Sequence, residues 1–104
     1  MPDPYRILLS KRVAKDLQSI FDYISKDSPA NAAMMVARIL EAIDTLSIFP
    51  GRTVLADQHP RIKNPIRTLP VQSYLIFFRV LEKQRIVRIL RVRHGAMRHP
   101  KRFD

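Results

Sequence analysis

Cationic side chains recur through the second half of this 104-residue chain and could serve an anionic partner. The candidate functional set is Arg67, Arg79, Arg88, Arg91, Arg93, His94, Arg98, Lys101 and Arg102. Guanidinium groups could stabilise the charge on a cleaving phosphodiester, with His94 as general acid or base. The same groups could instead bind acidic side chains without any chemistry. The residue types alone leave both functions open.

Other kinds of catalytic chemistry find little support in the sequence. The basic half of the chain holds only three carboxylates, which are Asp57, Glu82 and Asp104. The histidines do not have the spacing of a metal-binding motif, and the chain has no cysteine. There is no phosphate-binding glycine loop, dinucleotide fingerprint or nucleophile elbow. We therefore expect no metal, no cofactor and no carboxylate acid–base catalysis.

The net charge of +10 lies entirely in the second half of the chain. Residues 1–50 contain six basic and six acidic residues, whereas residues 51–104 contain 13 basic and three acidic residues. This asymmetry favours an anionic partner, such as nucleic acid, an acidic protein or a nucleoprotein enzyme, over a merely solubilising surface. There is no apolar signal region and no run of the roughly 18 apolar residues that a membrane span needs. We expect a cytoplasmic protein.

Two amphipathic helices are predicted in the first half of the chain. Ser10 can cap a helix whose apolar stripe is Val13, Leu17, Ile20, Phe21 and Ile24. Ser28 and Pro29 begin a second helix that extends to about Phe49 and ends at Pro50 and Gly51. Its predicted inner face is Ala33, Val36, Ala37, Leu40, Ile43 and Leu46. Because almost no loop separates them, the helices should form an antiparallel hairpin.

Four strands are predicted around this hairpin. Residues 5–9 form a short first strand, and residues 66–71 form an edge strand, since Pro70 cannot donate to a ladder. Residues 74–81 are apolar on both faces except at Arg79, which predicts a central strand. The stretch 85–94 is the last strand. The intervening residues 50–65 are long for a connection and are either a binding loop or a mobile link.

The element order β-α-α-β-β-β predicts a single α+β domain over residues 1–104. The helical hairpin should cover one face of a mostly antiparallel four-stranded sheet. The other face is apolar and basic, so it is either a partner site or covered by the loop and tail. Strict alternation in the last strand places Arg91 and Arg93 on the face of Val87 and Ile89. Arg88 and His94 then share the other face with Ile86, Leu90 and Val92.

The chain resembles the ParE branch of the ParE/RelE toxins from bacterial toxin–antitoxin pairs. The matching segments are Tyr5…Leu9-Ser10, Asp16-Leu17, Ile20…Tyr23-Ile24, Ser28-Pro29-Ala30-Asn31-Ala32, Leu46…Phe49-Pro50-Gly51, Arg67…Leu69-Pro70-Val71, Tyr74-Leu75-Ile76-Phe77-Phe78-Arg79-Val80 and Ile89-Leu90-Arg91-Val92-Arg93-His94-Gly95-Ala96. Each segment is short, but their order and spacing together are specific and cover nearly the whole chain. The resemblance implies that the first strand lies beside the last.

The resemblance also implies a function. ParE-like members poison DNA gyrase and stall replication, whereas RelE-like members cut messenger RNA on the ribosome. The ribonucleases resemble one another in two features. An arginine directly follows the tyrosine of the central strand, and the tail often contains a tyrosine. This chain has Leu75 and Phe103 at those places. Arg79 stands where ParE-like chains have arginine, but Met97 separates Arg98 from the usual His-Gly-Ala-Arg pattern.

Three functions follow as hypotheses. The first is a non-enzymatic gyrase inhibitor that blocks growth and serves plasmid stabilisation, with a target-binding set of Arg67, Arg79, Arg91, Arg93, His94 and Arg98. The second is a ribosome-dependent endoribonuclease, in which the active groups would be Arg79, Arg91, His94 and Arg98. The third is a non-toxic or inactive basic binding module. The resemblance further implies hetero-oligomers with a cognate antitoxin whose C-terminal segment is acidic or amphipathic.

Overall fold

A computed structural model of the protein describes residues 4–55 and 64–95. Its strands are β1 (Arg6–Leu9), β2 (Val54–Leu55), β3 (Ile66–Val71), β4 (Tyr74–Leu81) and β5 (Ile86–His94). Its helices are α1 (Lys11–Ser25) and α2 (Pro29–Thr45), and a 3₁₀ turn covers Pro50–Arg52. Neither helix is long and apolar enough to cross a membrane in these two described ranges.

The strands form one mixed sheet in the order β1-β5-β4-β3-β2. β1 runs parallel to β5, with Arg6 opposite Ile86, and the other neighbours are antiparallel. The α+β class, the helical hairpin and the central position of β4 are as predicted, and so is the pairing of the first strand with the last. β3 pairs with β2 only through Arg67 and Thr68, so the part of β3 that carries Pro70 remains an edge.

The predicted serine caps begin both helices. The Ser10 hydroxyl accepts a hydrogen bond from the Val13 amide, and the Ser28 hydroxyl accepts one from the Asn31 amide at 3.1 Å. Between the hairpin and the sheet lies a core whose buried members are Val13, Ile20, Ile39, Ile43, Leu46, Tyr74, Ile76, Phe78, Val80, Val87, Ile89 and Val92. This core fixes the helices against β4 and β5, the strands that carry most of the candidate arginines.

Three predictions about the first two-thirds of the chain are wrong in detail. The sheet has five strands instead of four, because β2 forms within the predicted loop 50–65. α2 ends at Thr45 instead of about Phe49. Its buried residues are Ala32, Ile39 and Ile43, while the predicted inner residues Ala33, Ala37 and Leu40 are exposed. Because α2 is apolar around much of its circumference, periodicity could not decide which side faces the sheet.

Candidate functional site

A β-bulge in β5 decides which way its cationic side chains face. Phe77 lies opposite Arg91, but Phe78 lies opposite Ile89, so Leu90 is an extra residue in the ladder. The extra residue reverses the alternation, and Val92 therefore joins Val87 and Ile89 in the core under the helices. The predicted division of faces is wrong beyond the bulge: Arg91 and Arg93 do not share a face with Val87 and Ile89, and His94 does not share one with Arg88.

Helix α1 closes the edge of β5 where β1 has ended. The Ser10 hydroxyl donates a hydrogen bond of 2.9 Å to the Leu90 carbonyl. Asp16 accepts three hydrogen bonds, from Arg91 Nε at 2.8 Å, from a terminal nitrogen of the same guanidinium at 3.0 Å and from the Val92 amide at 2.9 Å. The Asp16 side chain is 11% exposed and that of Arg91 is 15% exposed. The bidentate bond raises the pKa of Arg91.

A groove of about 600 Å³ lies between α1 and this end of β5. We call it the Arg93 groove, and its lining consists of Asp16, Ser19, Ile20, Tyr23, Tyr74, Arg91, Val92, Arg93 and His94. Its floor is apolar and its rim is cationic. His94 is exposed and Arg93 is half-buried, so both can meet a bound molecule. Its volume is in the range of sites that accept a ligand or a few side chains of a partner.

Tyrosine and histidine rings shape the floor of the groove. Tyr74 lies opposite His94 in the ladder, and their rings meet edge to face with centroids 5.4 Å apart. Tyr74 is buried, and this burial raises the pKa of its phenol, with a smaller contribution from Tyr23. Tyr23, by contrast, is 72% exposed. The groove thus has one buried aromatic ring in its floor, that of Tyr74, and one exposed ring, that of Tyr23.

Gly95, the residue directly after β5, lies close to the backbone of the turn between β3 and β4. No glycine among the described residues has a positive φ. Instead, the Gly95 amide donates a hydrogen bond of 2.7 Å to the Ser73 carbonyl, and a Cβ at Gly95 would lie 3.3 Å from that oxygen. Glycine therefore allows the chain leaving β5 to approach the β3–β4 turn closely.

The structure separates Arg79 from the groove. Arg79 lies opposite Arg88 in the ladder, while His94 lies opposite Tyr74. Five residues along a strand correspond to roughly 17 Å, so Arg79 and His94 cannot contact one phosphate group together. Nε of Arg79 is buried without a hydrogen-bond partner among the described residues, and Arg88 is exposed.

Arg67 has a structural environment. Its guanidinium donates hydrogen bonds to the Thr53 carbonyl at 2.7 Å and to the Gly51 carbonyl at 3.3 Å, which ties the turn before β2 to β3. Of the sequence candidates, then, Arg91, Arg93 and His94 lie together, whereas Arg67 and Arg79 lie elsewhere. Arg98, Lys101 and Arg102, like Met97 and Phe103, lie outside the described residues.

Sequence analysis missed two contributors to the groove. Asp16 and Tyr23 belong to segments that match the family pattern, but neither is among the predicted site residues. Helical spacing offered a signal, since residues 16, 19, 20 and 23 follow the i, i+3, i+4, i+7 pattern of one helix side. The contact with β5 has no sequence signal, because 75 residues separate Asp16 from Arg91.

The groove offers several groups that could bind a partner. In the described ranges 4–55 and 64–95, no three His, Cys, Asp or Glu side chains come together as a metal site would require. The carboxylate of the groove, on Asp16, is already held by Arg91 and the Val92 amide. Arg93 and His94 at the rim can contact acidic groups, and Tyr23 can pack against an apolar or planar group.

Comparison with known proteins gives a consistent result. A family model described as "ParE toxin of type II toxin-antitoxin system, parDE" matches residues 7–99. The toxin RelE2 of Caulobacter vibrioides is 33% identical over 91 residues, which cover 88% of this chain and 96% of that protein.

Solved structures share the fold. The chromosomal ParDE toxin–antitoxin system of P. aeruginosa contains a chain with a TM-score of 0.70 and 23% identity, covering 86% of this chain and 95% of that one. The archaeal RelE–RelB complex of Pyrococcus horikoshii OT3 gives a TM-score of 0.66 at 19% identity, covering 91% of this chain and 99% of that one. At these identities the likeness concerns the fold alone.

Proposed function

Because the chain belongs to the ParE toxin family of type II toxin–antitoxin systems, we propose that it is a toxin that inhibits DNA gyrase and blocks replication. It acts in the cytoplasm as a protein inhibitor and has no turnover of its own. Its target contacts centre on the Arg93 groove. Arg93 and His94 meet acidic groups of the target, and Tyr23 packs against an apolar side chain beside them.

The observation that carries this proposal is the bond between Asp16 and Arg91. A catalytic guanidinium must present its N–H donors to the charge that develops on a substrate phosphate. Arg91 is instead held by two hydrogen bonds to Asp16 and is only 15% exposed. At the rim, the half-buried Arg93 and the exposed His94 place a cation and an imidazole beside an apolar floor, which suits contact with a protein surface better than bond cleavage.

A cognate antitoxin is the second partner in this proposal. The net charge of +10 favours an acidic protein, and an amphipathic segment could cover apolar side chains that are exposed on the free toxin. The P. aeruginosa and P. horikoshii structures are toxin–antitoxin systems by their descriptions. The toxin and antitoxin would form a hetero-oligomer that keeps the toxin inactive until the antitoxin is lost.

The alternative is ribosome-dependent cleavage of messenger RNA. His94 favours it, because an exposed imidazole beside an arginine could act as general acid or base on a phosphodiester. The described geometry supports it less well, since Arg79 is roughly 17 Å from His94 along the sheet. Under this alternative Arg91, His94 and the undescribed Arg98 would have to act without Arg79.

The deciding experiment adds purified toxin to gyrase and measures supercoiling and cleavage-complex formation. Arg93→Ala is the test variant, because Arg91→Ala would also remove the partner of Asp16. Arg88→Ala is the matched control, since Arg88 is an exposed cation on the same strand outside the groove. We expect the wild type and Arg88→Ala to inhibit supercoiling, and Arg93→Ala to need at least a tenfold higher concentration.

Unchanged supercoiling and cleavage with the wild-type protein would rule out the gyrase proposal. Fragmented messenger RNA after induction, with gyrase unaffected, would establish the ribonuclease alternative. Normal growth after induction without the antitoxin would contradict both and leave the non-toxic binding module.

A further inference from the structure

A second surface lies at the opposite end of β5 from the Arg93 groove. Two apolar side chains there are strongly exposed: Ile48 at 60% and Phe49 at 67%. Both border a cavity of about 240 Å³, and its lining continues with Tyr5, Glu82 and Arg85. We call these two side chains and the cavity the Phe49 patch. None of the residues that line this cavity lines the Arg93 groove.

The backbone holds Phe49 in place at a cost. Phe49 has φ 52°, a left-handed conformation that is unfavourable for a bulky residue by about 1 kcal/mol or more. The guanidinium of Arg52 stabilises this turn by donating to the Ile48 carbonyl at 2.9 Å and the Phe49 carbonyl at 3.1 Å. An aromatic side chain that is both strained and exposed contributes little to the core, so its position requires another explanation.

The charges around the cavity are mostly positive. The Arg85 guanidinium lies 4.3 Å from the centre of the Tyr5 ring, and the Tyr5 hydroxyl donates to the Glu82 carboxylate. The Arg52 guanidinium lies beside the same residues, since it donates to the Ile48 and Phe49 carbonyls, and Glu82 is the one acidic residue of the cavity lining. Two guanidinium groups against one carboxylate leave the rim with a net positive charge, which favours anionic groups. A cavity of this size admits one aliphatic or aromatic side chain.

We propose that the Phe49 patch docks the antitoxin, through a segment that places an apolar side chain in the cavity and acidic side chains beside Arg85. This inference rests on the proposed function, because it requires the antitoxin partner. Permanent interfaces are more apolar than transient ones, and the proposed hetero-oligomer that keeps the toxin inactive has to be permanent while both proteins are present. A net charge of +10 on each copy disfavours a second copy of this chain as the occupant.

Each of the two partners then binds its own surface of the toxin. The antitoxin is anchored at the Phe49 patch, and the target meets the Arg93 groove, roughly 20 Å further along β5. Antitoxin affinity and toxicity should therefore respond to different substitutions.

The test uses Phe49→Asn in the full-length toxin, with the protein encoded by the adjoining reading frame as the antitoxin probe. Asparagine tolerates positive φ better than other non-glycine residues, so the fold should survive. Met34→Gln is the control, because Met34 is 52% exposed and lines neither the groove nor the cavity. Binding is measured by calorimetry, and toxicity by growth after induction without antitoxin.

We expect Phe49→Asn to raise the dissociation constant at least tenfold while toxicity stays at the wild-type level, and Met34→Gln to change neither by more than about threefold. Unchanged antitoxin affinity in Phe49→Asn would overturn the inference. So would a loss of toxicity with antitoxin affinity preserved, which would assign the patch to the target. If the toxin leaves gyrase unaffected but Phe49→Asn still weakens the antitoxin complex, the gyrase proposal fails and the docking inference stands.

Discussion

Charged groups lie near apolar side chains at both ends of β5, but the two ends differ in which of these groups are exposed. At the Arg93 groove, Asp16 and Arg91 are largely buried and bonded to each other, and further cationic side chains lie at the rim. At the Phe49 patch, apolar side chains are exposed, and the Tyr5–Glu82 hydrogen bond lies at the surface. The first end is held by an ion pair, whereas the second is held by hydrogen bonds that the Arg52 and Arg67 guanidinium groups donate to backbone carbonyls.

This difference matches the needs of two kinds of partner. A buried ion pair can hold a groove in shape while little apolar area is exposed. It therefore suits a site that is in contact with water whenever no partner is bound. An exposed apolar patch is favourable only when it is covered for most of the protein's lifetime. Substitutions at the two ends should therefore have unequal effects on stability.

The largest effect is expected at Asp16. Asp16→Ala leaves the Arg91 guanidinium and the Val92 amide without their acceptor in a largely buried site, which should lower the free energy of unfolding by about 3 kcal/mol. For a domain of this size the melting temperature should fall by roughly 15 °C. Thermal denaturation followed by circular dichroism checks the effect.

The matched control for Asp16→Ala is Asp22→Ala, on the exposed side of the same helix. Its carboxylate accepts one surface hydrogen bond, from Gln18, so removing it should cost less than about 0.5 kcal/mol. Equal losses at the two aspartates would show that the bond to Arg91 does not hold the groove together.

A smaller effect is expected at Arg67, which supports the other end. Arg67→Ala removes the donors to the Thr53 and Gly51 carbonyls and should cost about 1.5 kcal/mol, measured by urea denaturation. Arg88→Ala, which truncates an exposed arginine, should change stability by no more than about 0.5 kcal/mol. If both variants were equally stable, Arg67 would not be part of the support for the Phe49 patch.

Much of the fold was predictable because its local signals are strong. Ser10, Ser28 and Pro29 mark helix starts through chemistry that acts within three residues, and the apolar run at 74–81 marks a central strand. The side of α2 that faces the core was not predictable. Ala33, Ala37 and Leu40 are apolar, as are the residues that pack, and contact with the sheet decides which of them are buried.

The candidate site was predictable in composition and not in geometry. Arg91, Arg93 and His94 were identified by type, and they do lie together. The bulge at Leu90 depends on how β5 pairs with β4, so alternation along one strand could not reveal it. Arg67 has the residue type of a target-binding cation, and the sequence gives no sign of its structural role. Its acceptors are backbone carbonyls, which every residue carries, so no sequence pattern marks them.

The subtlest contrast between the two ends is in their tyrosines. The pKa of Tyr5 is raised chiefly because its hydroxyl donates to Glu82, whereas that of Tyr74 is raised chiefly by burial. Glu82→Gln should therefore move the titration of Tyr5 back towards its ordinary value of 10.0 and leave Tyr74 unchanged. With only three tyrosines in the chain, absorbance at the phenolate band, read against Tyr5→Phe and Tyr74→Phe variants, resolves each contribution.

The same shifts predict how stability depends on pH. A phenol whose pKa is higher in the folded state favours folding below its unfolded pKa of about 10, and this contribution is lost as the pH rises through the folded value. The wild type should thus lose stability in urea melts as the pH is raised above 10, and Tyr74→Phe and Glu82→Gln should each lose less. If Glu82→Gln shifted the titration of Tyr74 instead of that of Tyr5, the two ends of β5 would be coupled. A substitution at one end would then change both antitoxin binding and toxicity.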